Sequence, residues 1–452
     1  MRKPKMRTIK LYDTYQGKLR EFVPIDSKEV DIYYCGPTVY NYVHLGNFRP
    51  TLTFDLLTRF LTECGYDVKC VSNYTDIDDK IIKQAKIENK TEKELSEFYI
   101  KAYEDCLEKL NVLPLYCHPK ASEYIDKMAS FIKDLEDNNC AYQGGDDIYF
   151  SVECDPKYGS LSKQNISDLV SGARIEVSNK KKSPLDFALW KLTDDDGIKF
   201  DTILGRGRPG WHTECVVMVN NVFQKTLIDI HGGGFDLKFP HHENEIAQSE
   251  AHNHTQLANY WMHVGFLLTN GVKMSKSLGN SILAKDVLER HSGNAIRLFF
   301  LTTHYRAPVN YTEENLNSMD KLANKYETCL KKLNAKIQLE DIPEGNPIQE
   351  DYEAFMNALA DDLNVANALS VLDKEVKEIN SLIMKKDSSK ERLANLFATI
   401  QKLFSILGLS IPLSKITEED RKLVEEYNKA RTEKDFAKSD ELRPKLMEKG
   451  LL

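Results

Sequence analysis

The stretch Glu29-Val-Asp-Ile-Tyr-Tyr-Cys-Gly-Pro37 decides how the chain is read. Val30, Ile32 and Tyr34 alternate with less apolar neighbours and run into Gly36-Pro37, the pattern of a strand ending in a turn. Downstream, Leu52, Leu56, Leu57 and Phe60 share one face of a helix predicted over 52–64, which Gly65 stops. Residues 68–72 supply a second strand and lead into Asn73-Tyr-Thr-Asp-Ile-Asp-Asp79. Strand, helix, strand in that order is a βαβ unit and predicts a parallel sheet.

From about 118 to 205 the texture becomes mixed helical and turn-rich, with a basic run at Lys180-Lys181-Lys182. After it come another helical pattern, a short apolar strand over 227–230 and a Gly-rich turn at Gly232-Gly-Gly234. The expected fold is a Rossmann-like, doubly wound α/β sheet interrupted by an insertion, with reactive residues where the strands end. Beyond about 280 helical periodicity takes over. Leu369, Leu372, Val376, Ile379 and Ile383 form one stripe, and Leu393, Leu396, Ile400, Leu403 and Leu407 form another that Gly408 caps. The expected division is 1–125 and 206–265 for the two halves of the sheet domain, with 126–205 as the insertion. It continues with 266–330 as a linking region, 331–411 as a helical bundle and 412–452 as a charged end.

At 452 residues the chain is too long for one ordinary core. No apolar run could span a bilayer, and the basic start lacks the apolar or amphipathic segment of an export or organelle signal, so a cytoplasmic location is expected. The nine cysteines are odd in number, scattered and without a C-x-x-C pair, which argues against a disulfide framework. With 61 basic and 69 acidic residues the formal charge is −8, so any nucleic-acid binding must rest on local basic surface.

Two short motifs carry chemistry. His44-Leu-Gly-Asn47 follows the first strand, and Lys273-Met-Ser-Lys-Ser277 follows the second half of the sheet. Together they resemble the paired signatures of class I aminoacyl-tRNA synthetases. Attack of a carboxylate on the α-phosphorus of ATP gathers charge on phosphate, which His44, Asn47, Lys273 and Lys276 would stabilise as hydrogen-bond donors and cations near a helix N-terminus. Asn47 stands where many members have His; it can donate a hydrogen bond but not carry a proton.

A second constellation is Cys35, Cys215, His241 and Glu245. Pro240 marks a helix start, so His241 and Glu245, spaced i and i+4, share a face and can point at one ion. Two thiolates, an imidazole and a carboxylate suit tetrahedral zinc. The plainer alternatives are a buried cysteine acting as a small core hydrophobe and a surface His/Glu couple.

Cys35-Gly-Pro-Thr-Val-Tyr40, Asn73-Tyr-Thr-Asp-Ile-Asp-Asp79, Gly207-Arg-Pro-Gly-Trp-His212, His231-Gly-Gly-Gly234, Phe239-Pro-His-His-Glu-Asn-Glu245 and Asp361-Asp-Leu-Asn364 resemble, in order, the cysteinyl-tRNA synthetase family. The resemblance implies one zinc per chain, held by Cys35, Cys215, His241 and Glu245 and binding the substrate thiolate. It also implies a substrate pocket shaped by Thr75, Trp211 and His231, and ribose held by Asp236. ATP with Mg2+, L-cysteine and tRNA(Cys) are the implied partners of a monomer, with stem contacts in 266–330 and anticodon binding in 412–452. Lys80-Ile-Ile-Lys83 resembles a segment linked to pyridoxal phosphate and persulfide formation, against which stands a plain solvated lysine face. Two rivals are a ligase that joins cysteine to an amino-sugar and a non-catalytic zinc-bearing RNA-binding paralogue.

Overall fold

The computed structural model describes residues 7–163, 180–274, 279–385 and 388–451. They belong to two compact units, Met1–Arg290 with Tyr305–Asn310, and His291–His304 with Tyr311–Leu452.

The first unit is built on four parallel strands: β1 (Glu29–Tyr34), β2 (Asp67–Ser72), β3 (Ile228–Gly234) and β4 (Ala258–Val264). Their spatial order is β4-β3-β1-β2, so the winding reverses between β1 and β3. That reversal opens a crevice at the carboxyl ends of the strands. Helix α1 (Phe48–Glu63) joins β1 to β2 and starts four residues earlier than the apolar stripe suggests, with Pro50 in its first turn, where a missing N–H is harmless.

Alternation in β1 is not an exposure pattern, because a parallel sheet is covered on both faces. Tyr34 stacks on Phe54 of α1 at 4.9 Å. Tyr33 points the other way, its hydroxyl 3.4 Å from Met218 Sδ in α2 (Glu214–Val222). Even Asp31 is buried, its carboxylate 2.6 Å from Lys225 Nζ.

The glycines 232–234 are not a turn but the end of β3: all three pair with β4, and Gly232 pairs with β1 as well. A Cβ at Gly232 would overlap the Met262 carbonyl and the Phe54 ring, so only glycine lets α1 and β4 come this close.

Between β2 and β3 the texture read as turn-rich contains a five-stranded antiparallel sheet. Its order is Ala141–Gly144, Asp147–Phe150, Phe187–Leu192, Gly205–Pro209, Phe200–Thr202. Strands of three to six residues are too short to show a period. A disulfide joins Cys140 to Cys154 in this region. One local bridge is not the framework that the sequence argued against.

The second unit is helical. Both apolar stripes form helices, α4 (Val365–Ile383) and α5 (Lys390–Leu407). Gly408 ends α5 in the left-handed conformation, φ +72°, with no room for a Cβ beside the Arg297 guanidinium, which donates to the Leu407 carbonyl. The charged end folds as helices Glu418–Thr432 and Phe436–Glu448, joined by a small core of Tyr427, Leu442 and Leu446. Among the described residues no helix is long and apolar enough to cross a membrane.

Gly232→Ala is expected to destabilise the first unit by about 1–3 kcal/mol through overpacking at the sheet. A lowered midpoint in urea unfolding, followed by near-UV circular dichroism, checks this.

Candidate active site

Cys35 leaves the end of β1, its N–H donating to Gly232 O at 3.0 Å, and so stands at the mouth of the crevice. Cys215 lies in the first turn of α2, while His241 and Glu245 occupy successive turns of α3 (His241–Asn253), which begins after Pro240. The four donor atoms lie within 4.8 Å of one another. Cys35 and Cys215 Sγ are 3.7 Å apart, Cys215 Sγ and His241 Nε2 3.7 Å, and His241 Nε2 and Glu245 Oε1 2.9 Å. Metal–sulfur bonds of about 2.3 Å at tetrahedral angles place two thiolates about 3.8 Å apart, so this donor set fits one ion.

Neighbours favour the anionic forms of Cys215 and Glu245. Burial and the hydrogen bond with Cys215 instead push the Cys35 thiol well up, and against burial Glu245 and Cys215 raise His241 to about 10. Burial would push the Cys215 thiol up, but the hydrogen bond from Cys35 and the adjacent His241 bring it down to about 6. Burial opposes the charge on Glu245 too, yet His231, His241 and His242 hold its carboxyl well below the usual range. For His241 Nε2 to serve as ligand its proton must sit on Nδ1, and His212 Nδ1, 3.0 Å away, is placed to accept it. Burial and the neighbouring His241 push His212 down to about 3, which keeps it neutral.

Beside this cluster opens a cavity of about 430 Å³. Cys35, His44, Asn47, Trp211, Asp236 and Lys273 all line it. His44 and Asn47 are tied in a 3-10 turn, where Asn47 Oδ1 accepts the His44 N–H at 3.1 Å and leaves its amide NH2 as the free donor. Trp211 stacks on His241 at 4.1 Å. Lys276 lies outside the described residues.

Thr75 and His231 are not among the residues lining this cavity; they brace the cluster from behind. Thr75 Oγ1 donates to the buried Glu214 at 2.8 Å, next to Cys215. His231 Nε2 is 2.6 Å from Glu245 Oε2, and its Nδ1 is 3.1 Å from Tyr33 O. The i, i+4 rule sampled one face of α3 and passed over His242, whose Nε2 lies 3.2 Å from Cys35 Sγ and whose Nδ1 lies 2.8 Å from His263. Cys35, His231, His242 and Glu245 form a second four-donor group sharing two members with the first. Glu243 was also missed: it is buried and accepts from the backbone N–H groups of Gly159, Leu161 and Ser162 at 3.0, 3.2 and 2.7 Å.

Comparison with known proteins follows the same lines. Residues 21–321 match the model of the class I (C) tRNA synthetase catalytic domain, and residues 354–411 match the DALR domain. The chain is 43% identical to the cysteine–tRNA ligase of Shouchella clausii and 41% identical to that of Staphylococcus aureus, in each case over 98% of the chain and 97% of the relative. Among solved structures, Mycobacterium tuberculosis methionyl-tRNA synthetase bound by methionyl-adenylate superposes with a TM-score of 0.62 at 13% identity. That match covers 91% of this chain and 96% of the other. A putative arginyl-tRNA synthetase from Campylobacter jejuni gives 0.57 at 12% identity over 87% and 95%. At these identities the likeness is one of fold.

Glu243→Gln is expected to cost about 1–3 kcal/mol, because whichever way the amide turns, its NH2 faces a buried backbone N–H. Urea unfolding compared with wild type measures it.

Proposed function

The chain belongs to the cysteine–tRNA ligase family of class I synthetases, and from that premise we propose how its residues divide the work. It is a ligase that activates L-cysteine with ATP and esterifies tRNA(Cys). The observation that carries this reading is the cavity that Cys35 shares with His44, Asn47, Asp236 and Lys273, because it brings a thiol-binding group and a phosphate-binding group to one space.

In the first step a cysteine carboxylate oxygen attacks the α-phosphorus of ATP, and the bond to pyrophosphate breaks, leaving cysteinyl-adenylate. His44 and the Asn47 amide, at the start of α1, donate to the phosphate as charge builds, and Lys273 and Lys276 neutralise the departing pyrophosphate. Asp236, at the end of β3, holds the ribose, and Mg2+ accompanies ATP. In the second step the 2′-hydroxyl of the terminal adenosine of tRNA attacks the carbonyl carbon and AMP leaves.

Cys35, Cys215, His241 and Glu245 would hold zinc, which when bound supplies a soft centre that prefers a thiolate to a neutral hydroxyl. Serine differs from cysteine by one atom, so steric fit alone would discriminate poorly, and selection at binding removes the need for a separate editing site. Trp211 braces His241 at the cavity wall, while Thr75 and His231 hold the supporting carboxylates. The two halves of the sheet domain, 1–125 and 206–265, carry activation. The insertion 126–205 connects them, 266–330 contacts the tRNA stem, and the bundle 331–411 and the end 412–452 serve tRNA and its anticodon. We place the enzyme in the cytoplasm as a monomer.

Incubation with ATP, labelled cysteine and total tRNA tests the function: acid-precipitable cysteine is expected, and coupling of cysteine to an amino-sugar with no charged tRNA would replace this reading. Purified protein is expected to contain about one zinc per chain by elemental analysis. Cys215→Ser is expected to lower zinc content and to weaken cysteine-dependent ATP–pyrophosphate exchange far more than nucleotide binding. Equal loss of both would point to misfolding instead of loss of the thiol-selecting ion.

A further inference from the structure

Lys273 is a solvent-exposed side chain, yet its ammonium sits 3.9 Å from the centre of the Phe266 ring. Both residues line the cavity that holds His44, Asn47 and Asp236. The backbone explains why they meet. Residues 267–269 and 272–273 form a tight hairpin closed by Asn270-Gly271, both with positive φ, the combination that matches strand twist in a two-residue turn. Lys273 pairs with Leu268, so the side chain two residues before Leu268 leaves the same face and lies diagonal to Lys273.

Phe266 is held at its backbone and at its ring. Arg49, buried at the start of α1, donates to the carbonyls of both Gly265 and Phe266, at 3.0 and 2.9 Å. Phe235, the residue before Asp236, meets the Phe266 ring edge-on at 5.7 Å. A rigid aromatic face is thus presented to a flexible lysine at the edge of the proposed phosphate site. A long lysine side chain in water samples many rotamers, and an attractive ring face narrows that set.

We propose that Phe266 is a positioning residue that holds the Lys273 ammonium at the nucleotide cavity before ATP arrives. The inference rests on the reading of Lys273 as a phosphate-facing cation. Phe266 touches no reacting atom; it acts through Lys273 by confining where that charge can be.

A double-mutant cycle on the full-length, zinc-loaded enzyme tests this, with cysteine-dependent ATP–pyrophosphate exchange as readout. Phe266→Leu is expected to lower kcat/KM for ATP by about three- to ten-fold, the size of one cation–π contact. The KM for cysteine stays unchanged. Phe266→Tyr, which keeps the π face, is expected to restore the value to within about two-fold. In a Lys273→Met background Phe266→Leu is expected to cause no further loss. If the two losses multiply instead, the ring acts on the nucleotide directly and the proposal is overturned, with the role of Lys273 intact. A silent Phe266→Leu overturns it equally. If Lys273→Met alone changes nothing, the phosphate-facing reading fails first and the proposal with it. Phe266→Met keeps the volume without the π face and gives the same test should the leucine variant fold poorly.

Discussion

Nine consecutive residues of α3, His241 to Ser249, are buried, and seven of them are polar. A buried polar group without a partner is costly, so the surroundings of this helix are constrained by the need to answer each side chain. Glu243 is met by three backbone N–H groups, Asn244 by the Tyr158 hydroxyl, Glu245 by His231, Gln248 by Thr213 and the His212 carbonyl, and Ser249 by the Thr255 carbonyl. His241 meets His212 and His242 meets His263. The insertion, the β3 strand, the turn before α2 and the end of β4 are all recruited to one helix. The thiols reach the same place because β1 ends and α2 begins beside it.

The sheet was legible because its signals were local and long enough: the run into Gly36-Pro37, the leucine face of α1, and the second strand before Asn73. The same is true of both stripes in the second unit, where 3.6-residue periodicity extends over five turns or so. What stayed hidden were contacts that depend on tertiary closeness. Gly232 to Gly234 looked like a turn because glycine signals chain reversal and close approach alike, and only packing against Phe54 and Met262 distinguishes them. The strands of the insertion were too short to announce themselves.

At the site, the spacing of His241 and Glu245 showed that they could share an ion, and the motif order supplied Cys35 and Cys215. The supporting residues left no spacing to read. His231 and Glu243 look like members of glycine-rich and charged runs, and their roles appear only when the carboxylate or backbone each one meets is known. His242 adjoins a candidate ligand in sequence yet points off its face of the helix, and it is the packing of β1 that brings Cys35 within reach.

The way α3 is satisfied also orders the events of biosynthesis. Its partners come from segments as far apart as Tyr158 to Ser162 and His263, so the helix cannot be fully answered until the chain through β4 has left the ribosome. Everything before that point, including the thiol at Cys35, waits in a partly assembled state with polar groups still hydrated. Closing such long loops costs chain entropy before the contacts they make can repay it. The same helix that unites the mature site therefore makes its assembly a late and cooperative step.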